Sequence, residues 1–218
     1  MKNIILLIQF LSFFILNAKS QNSYTFNYYS VYDCIKNNEI KQKSYYFSNS
    51  ENDNYALYIT TSMEGLIYDA EIIDMATKEF IKVKFKKNTF FAINDFKKDI
   101  SHIERLSFSK IFKFRGNTYS KISEVKVEEF SHIKYNLYSD RKKKNLTHSI
   151  LLETKPYPNF VNQFKTRSLF FTYYNYVDLI NYKTTNVITK IYRYNNEILV
   201  FEENLIDINR INIVLTLN

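Results

Sequence analysis

The side chains best suited to catalysis or metal binding in this chain are three histidines, His102, His132 and His148, and a single cysteine, Cys34. Acid–base and nucleophilic chemistry needs a base held beside its nucleophile, and a metal needs donors converging on one point. The histidines lie 30 and 16 residues apart, so no two share a helix face or a strand. Any site using them must be assembled by the fold, with Glu104, Glu128, Glu129 or Glu153 as the carboxylates nearby in sequence. Cys34, beside Asp33, is a reactive thiol or a small buried hydrophobe, and burial is the expectation for a lone cysteine. The spacing thus assigns no catalytic residue, no metal ligand and no cofactor.

Charge is more informative. Arg141-Lys142-Lys143-Lys144 is the densest cationic run, preceded by Lys134, Tyr135 and Tyr138. Cations with interleaved aromatics suit an anionic surface or single-stranded nucleic acid, whereas a solvated turn needs no ligand at all. The run is the candidate anionic-ligand patch. The partner it implies is an anionic envelope component or another envelope protein, with no specific nucleic-acid binding expected. A second stretch, 82–87, alternates Lys with Val and Phe and reads as the wet face of a strand. Nineteen tyrosines without tryptophan read as cross-strand packing pairs rather than sugar platforms. The triplet Asn145-Leu146-Thr147 fits a glycosylation acceptor but carries no functional weight in an Asn-rich chain.

The amino terminus sets the compartment. Lys2 precedes an apolar run over 4–16 broken only by Gln9 and Ser12, then Asn17-Ala18-Lys19-Ser20. Small residues at Ala18 and Ser20 predict a secretory signal peptide over 1–20, cleaved between Ser20 and Gln21. The run is too short for a membrane span, which needs about 20 residues. Loss of Lys2 and Lys19 lowers the formal charge from +8 to +6. Residues 21–218 are expected to form one strand-rich domain, stabilised by packing because one cysteine forms no internal disulfide.

What must position any site is a set of strands. Runs of β-branched and aromatic residues alternate with Asn, Asp, Ser and Lys clusters, which predicts a mainly β fold. The expected architecture is an antiparallel meander forming a β-sandwich or open barrel. Strands are expected near 24–32, 44–47, 55–61, 66–73, 80–85, 88–93, 106–114, 119–127, 133–138, 149–153, 187–194, 197–201 and 211–217. In the first of them Tyr24, Phe26 and Tyr28 share one parity. Turns are expected at Met63-Glu64-Gly65, at Arg115-Gly116-Asn117-Thr118 and at Asn195-Asn196. Short helices are expected near 95–104 and 159–168, with 159–181 open to either helix or strand.

Behind its leader, this Asn-, Lys- and Tyr-rich chain resembles small exported proteins of AT-rich bacteria, a resemblance that carries no functional residue. Three functions follow. The first is an exported, non-enzymatic β domain of the periplasm, cell surface or medium that works by binding or assembly. The second is a hydrolase whose histidines and carboxylates meet only in the fold. The third is an outer-membrane β-barrel, against which stand two glycines, the terminal Asn218 and lysines on both strand parities. A lysine facing lipid at mid-bilayer costs about 2 to 4 kcal/mol.

Overall fold

A computed structural model describes residues 23–36, 39–111, 119–157, 166 and 186–217. The leader and its cleavage point, the 115–118 turn and nearly all of 159–181 lie outside the described residues. What is described is one antiparallel sheet of eleven strands. In chain order they are β1 Ser23–Lys36, β2 Glu39–Ser48, β3 Tyr55–Thr61, β4 Ile67–Asp74, β5 Glu79–Phe85, β6 Ile100–Ser107, β7 Tyr119–Val127, β8 Phe130–Tyr138, β9 Leu146–Pro156, β10 Asn186–Asn195 and β11 Ile198–Thr216. Their spatial order is β6-β5-β4-β3-β2-β1-β11-β10-β9-β8-β7. The first and last strands therefore pair at the centre, from Ser23↔Thr216 to Ile35↔Glu202, and a meander runs outward on each side.

The front core belongs to the first half of the sheet, whereas buried residues line the back face of both halves, in the first half Tyr32, Tyr46, Ala56, Ile73 and Phe80. On the front face of β1–β5, Phe47 pairs with Leu57, Leu57 with Ile72 and Ile72 with Ile81, all at most 1 % exposed. The connection between β5 and β6 folds over this row. Phe96, on a 3-10 turn at Phe96–Asp99, sits 5.8 Å from the Phe47 ring, and Phe91 sits 5.6 Å from Phe96. Tilted ring pairs at this spacing add to area burial. Beyond β11 the buried row is on the back face, where Ile191 pairs with Leu152 and Leu152 with Ile133.

Several elements depart from the pattern expected of the sequence. Residues 88–93 are not a strand; they make one isolated bridge, Leu66↔Phe90, because Phe91 is drawn down onto the front core. The strand expected at 106–114 is shifted toward the amino terminus. β6 begins at Ile100, directly after the 3-10 turn, and a single helical turn, Phe108–Ile111, follows it. Tyr28 separates from Tyr24 and Phe26 at an irregularity where β11 holds an extra residue. Tyr24 and Phe26 join the front core, while Tyr28 packs with Val187. The segments 197–201 and 211–217 are parts of one 19-residue strand, whose polar centre hid its continuity. Gly65 takes φ +96° in the expected turn, a conformation glycine adopts without strain. The next expected turn sits one residue later, at Asn196 and Glu197 (φ 45° and 68°), the two positive values of a type I′ hairpin.

Phe47 touches the rings of Phe26, Tyr29, Phe91 and Phe96. Phe47→Ala therefore opens a cavity where strands and loop meet and is expected to cost about 3–5 kcal/mol, read as a shift in the urea unfolding midpoint with unchanged slope.

Candidate functional site

In the β8–β9 turn, Asp140 decides how the cations are displayed. Its carboxylate accepts the backbone N–H of Asn145 at 2.6 Å and of Lys144 at 3.1 Å, and its carbonyl accepts that of Lys143 at 3.1 Å. The Asn145 amide, ahead of the others, holds the Asp140 carboxyl below its usual range. Lys143 takes φ 54° to close the loop. The one acid inside the turn is thus occupied by main-chain donors, and Arg141, Lys142, Lys143 and Lys144 are all exposed. Among the described residues no carboxylate forms an ion pair with Arg141, Lys142 or Lys144.

Alternate turns of a meander fall at the same end of its sheet, so the β10–β11 hairpin tip lies beside this turn. The N–H of Asn196 donates to the carbonyl of Thr147 at 3.1 Å, tying the two together. Immediately after the tip, Ile198 is 69 %, Leu199 43 % and Val200 44 % exposed. Three aliphatic side chains in water beside four cations form the most distinctive surface of the described residues. The sequence showed the cations but not their neighbours, because 197–201 reads equally well as a strand with a buried face. The aromatic part of that signal does not hold. Tyr135 is fully buried in the back core of β8, so it cannot stack on a ligand.

The other sequence candidates separate. His132 lies on the front face with Nε2 3.5 Å from Glu153 Oε2. Glu153 also accepts the Thr189 hydroxyl at 2.9 Å and lies 3.7 Å from the Lys190 ammonium. The three strands β8, β9 and β10 bring these groups into one cross-strand row. His148 and His102 are on β9 and β6, and His102 lines a shallow cavity of about 390 Å³ with Lys97, Ile100, Ser101, Ile103 and Thr216. Glu104 is 4.0 Å from Lys84 on the neighbouring strand, while Glu128 and Glu129 are exposed at the β7–β8 turn. No group of three or more metal-ligating side chains occurs among the described residues. The 82–87 stretch behaves as expected, with Val83 buried and Lys84 exposed on β5.

Cys34 is 1 % exposed on the back face. Its thiol donates to Glu203 Oε1 at 3.3 Å, and the same oxygen accepts the Ser44 hydroxyl at 3.1 Å and the Tyr58 hydroxyl at 2.8 Å. Burial, reinforced by the Glu203 charge, pushes the Cys34 thiol and the Tyr58 phenol well above their ordinary values. Such a thiol is not a nucleophile. Farther out on β4, burial and then the neighbouring Asp69 push the Glu71 carboxyl up to about 8, against the pull of Lys82.

Two outcomes follow. Cys34 is expected to resist iodoacetamide in the folded protein and to react once urea unfolds it, as mass spectrometry of the adduct reports. For Glu71, a folded value above the unfolded 4.5 means that the native state holds the proton longer. Stability therefore falls as pH rises from about 4.5 to about 8. Glu71→Gln is expected to flatten that fall, so the difference in Tm between variant and parent grows in the variant's favour from pH 5 to pH 8. No protein-family model matches the chain and no curated protein shows significant similarity to it, so its function is argued from this geometry.

Proposed function

We propose that the chain is an exported β domain that works by binding, through the basic end of its sheet, to an anionic component of the envelope or its surroundings. The observation that carries this reading is the Asp140 turn. By giving its carboxylate to the amides of Lys144 and Asn145, the loop turns the side chains of Arg141 to Lys144 outward, and among the described residues no carboxylate pairs with Arg141, Lys142 or Lys144. Cations held at a turn by a hydrogen-bonded frame pay less to order against a partner than the same cations on a loose loop. The opposite end supports the polarity, since its β2–β3 and β7–β8 turns carry Glu51, Asp53, Glu128 and Glu129. A partner of negative charge is thereby steered toward one end of the molecule.

Export rests on the leader pattern of residues 1–20. The hydrolase reading draws least from the structure: the partly buried His132–Glu153 pair is tied up with Thr189 and Lys190, and no carboxylate is among the described residues lining the cavity at His102.

The test is fractionation of the native host with determination of the mature terminus by mass spectrometry. The expected product begins at Gln21 and appears in the exported fraction, either soluble or released from membranes by high salt. It binds dextran sulfate, and replacing Arg141, Lys142, Lys143 and Lys144 by Gln weakens that binding with a smaller salt slope. A product that keeps Met1 in the cytoplasm, or one that resists extraction by salt, defeats the reading.

A further inference from the structure

We infer that the anionic component is a lipid bilayer, and that the β8–β9 turn and the β10–β11 hairpin tip dock on it together, cations on the headgroups and aliphatics below them. This rests on the binding function proposed above and adds the identity of the surface. The cations alone would suit any polyanion. What selects lipid is the company they keep: Ile198, Leu199 and Val200 are 69, 43 and 44 % exposed within a hairpin bonded to the strand that leaves the basic turn. A hydrated polysaccharide or a nucleic-acid backbone gives an aliphatic side chain nowhere to go. An anionic bilayer takes both, because Lys and Arg are drawn to its surface potential while apolar side chains bury at the boundary of headgroup and acyl chain.

The local structure suits insertion. The hairpin turns through two residues, Asn196 and Glu197, in the type I′ conformation, so the tip is narrow and its amide is already bonded to Thr147. Behind it the Arg193 guanidinium lies 3.9 Å over the Phe201 ring, which pins the base of the hairpin on the protein side. Ile40, 45 % exposed on β2, is at the same end, since its partner Ile35 pairs with Glu202 of β11. Acids at this end include Asp140 on backbone amides, Glu39 on Lys41, Asp95 on Lys98 and Asp99 on Lys86, with the exposed Glu64 set apart on the β3–β4 turn. Glu197, at the tip, is the carboxylate that insertion must leave in the headgroup layer.

The test is sedimentation of the chain, purified as its host releases it, with vesicles of phosphatidylcholine alone and of phosphatidylcholine with phosphatidylglycerol. Binding is expected only to the second. Replacing the four cations 141–144 by Gln is expected to reduce partitioning at least about 100-fold. The triple variant Ile198→Ser, Leu199→Ser, Val200→Ser changes only exposed residues, so it is expected to fold. It is expected to lose at least about tenfold in vesicle binding while binding dextran sulfate as the parent does. If the triple variant binds vesicles as well as the parent, or if phosphatidylcholine alone is bound equally well, the bilayer inference is overturned while the anion-binding reading survives on its dextran sulfate result. Loss of both vesicle and dextran sulfate binding by the parent defeats the two together.

Discussion

The structure depends on the pairing of β1 with β11. Among the described strand pairs this alone joins distant parts of the chain; every other neighbour in the sheet is also a neighbour in sequence order. Closing so long a loop costs entropy that grows only with the logarithm of its length, and the return is a ladder running from Ser23↔Thr216 to Ile35↔Glu202. Hairpins on either side form from local contacts, but neither wing has its full core without the seam. Tyr24 and Phe26 of β1 and Ile213 and Leu215 of β11 complete the front core of the first wing. On the other side, the first turn-proximal residues of β11 carry β10 and, through it, β9 to β7.

Glu203 of β11 lies in the buried back row at the seam, between Cys34 of β1 and Ile191 of β10. A carboxylate at 0 % exposure is costly unless its oxygens are satisfied. Here the donors are neutral: the thiol of Cys34, the hydroxyl of Ser44 and the phenol of Tyr58, contributed by β1, β2 and β3. One side chain of β11 thus reads the register of three further strands. A one-residue slip of β11 would carry Glu203 to the front and set Asn204 in its place, leaving those donors unmatched. A buried polar network of this kind serves specificity of register more than stability. It also explains why the cysteine is chemically silent, since its proton is held between burial and a neighbouring negative charge.

Much of this was legible in the chain. Alternation in 55–61 and 80–85 predicts β3 and β5 because each sets alternate side chains into the front core, Leu57 and Ile59 in one and Ile81 and Val83 in the other. The Gly65 turn is legible because positive φ there suits glycine. What is not legible is tertiary in origin. The long β11 has Asn204, Asp207, Asn209 and Arg210 in its centre, which read as a break, although β1 supplies backbone partners across them. Residues 88–93 carry strand-forming aromatics, but Phe91 is drawn onto the front core while Phe90 stays exposed. At the site, the cationic run is visible as composition, whereas the aliphatic hairpin beside it depends on which turns fall at one end of the sheet. Tyr135 misleads for the converse reason, since an aromatic next to a lysine on a strand points to the other face.

Strand parity limits what the sheet as a whole can be. Ten antiparallel steps separate β6 from β7, so these two edges run in the same direction although they follow each other in sequence. A closed barrel built from these eleven strands would need one parallel seam. Among the described strands β6 and β7 are the edges: β7 exposes Lys121, Glu124 and Lys126 beside the apolar Val125 and Val127, and β6 exposes His102, the charged side chains discouraging pairing with another chain. The first wing buries both faces, with Phe47, Leu57, Ile72 and Ile81 on the front and Tyr46, Ala56, Ile73 and Phe80 on the back, and the back row continues past the seam through Ile191 and Leu152 to Ile133. The surface where charge and exposed aliphatic side chains coincide is the pair of neighbouring turns at one end of the sheet. There the cations of the Asp140 turn and the aliphatics of the β10–β11 hairpin stand together.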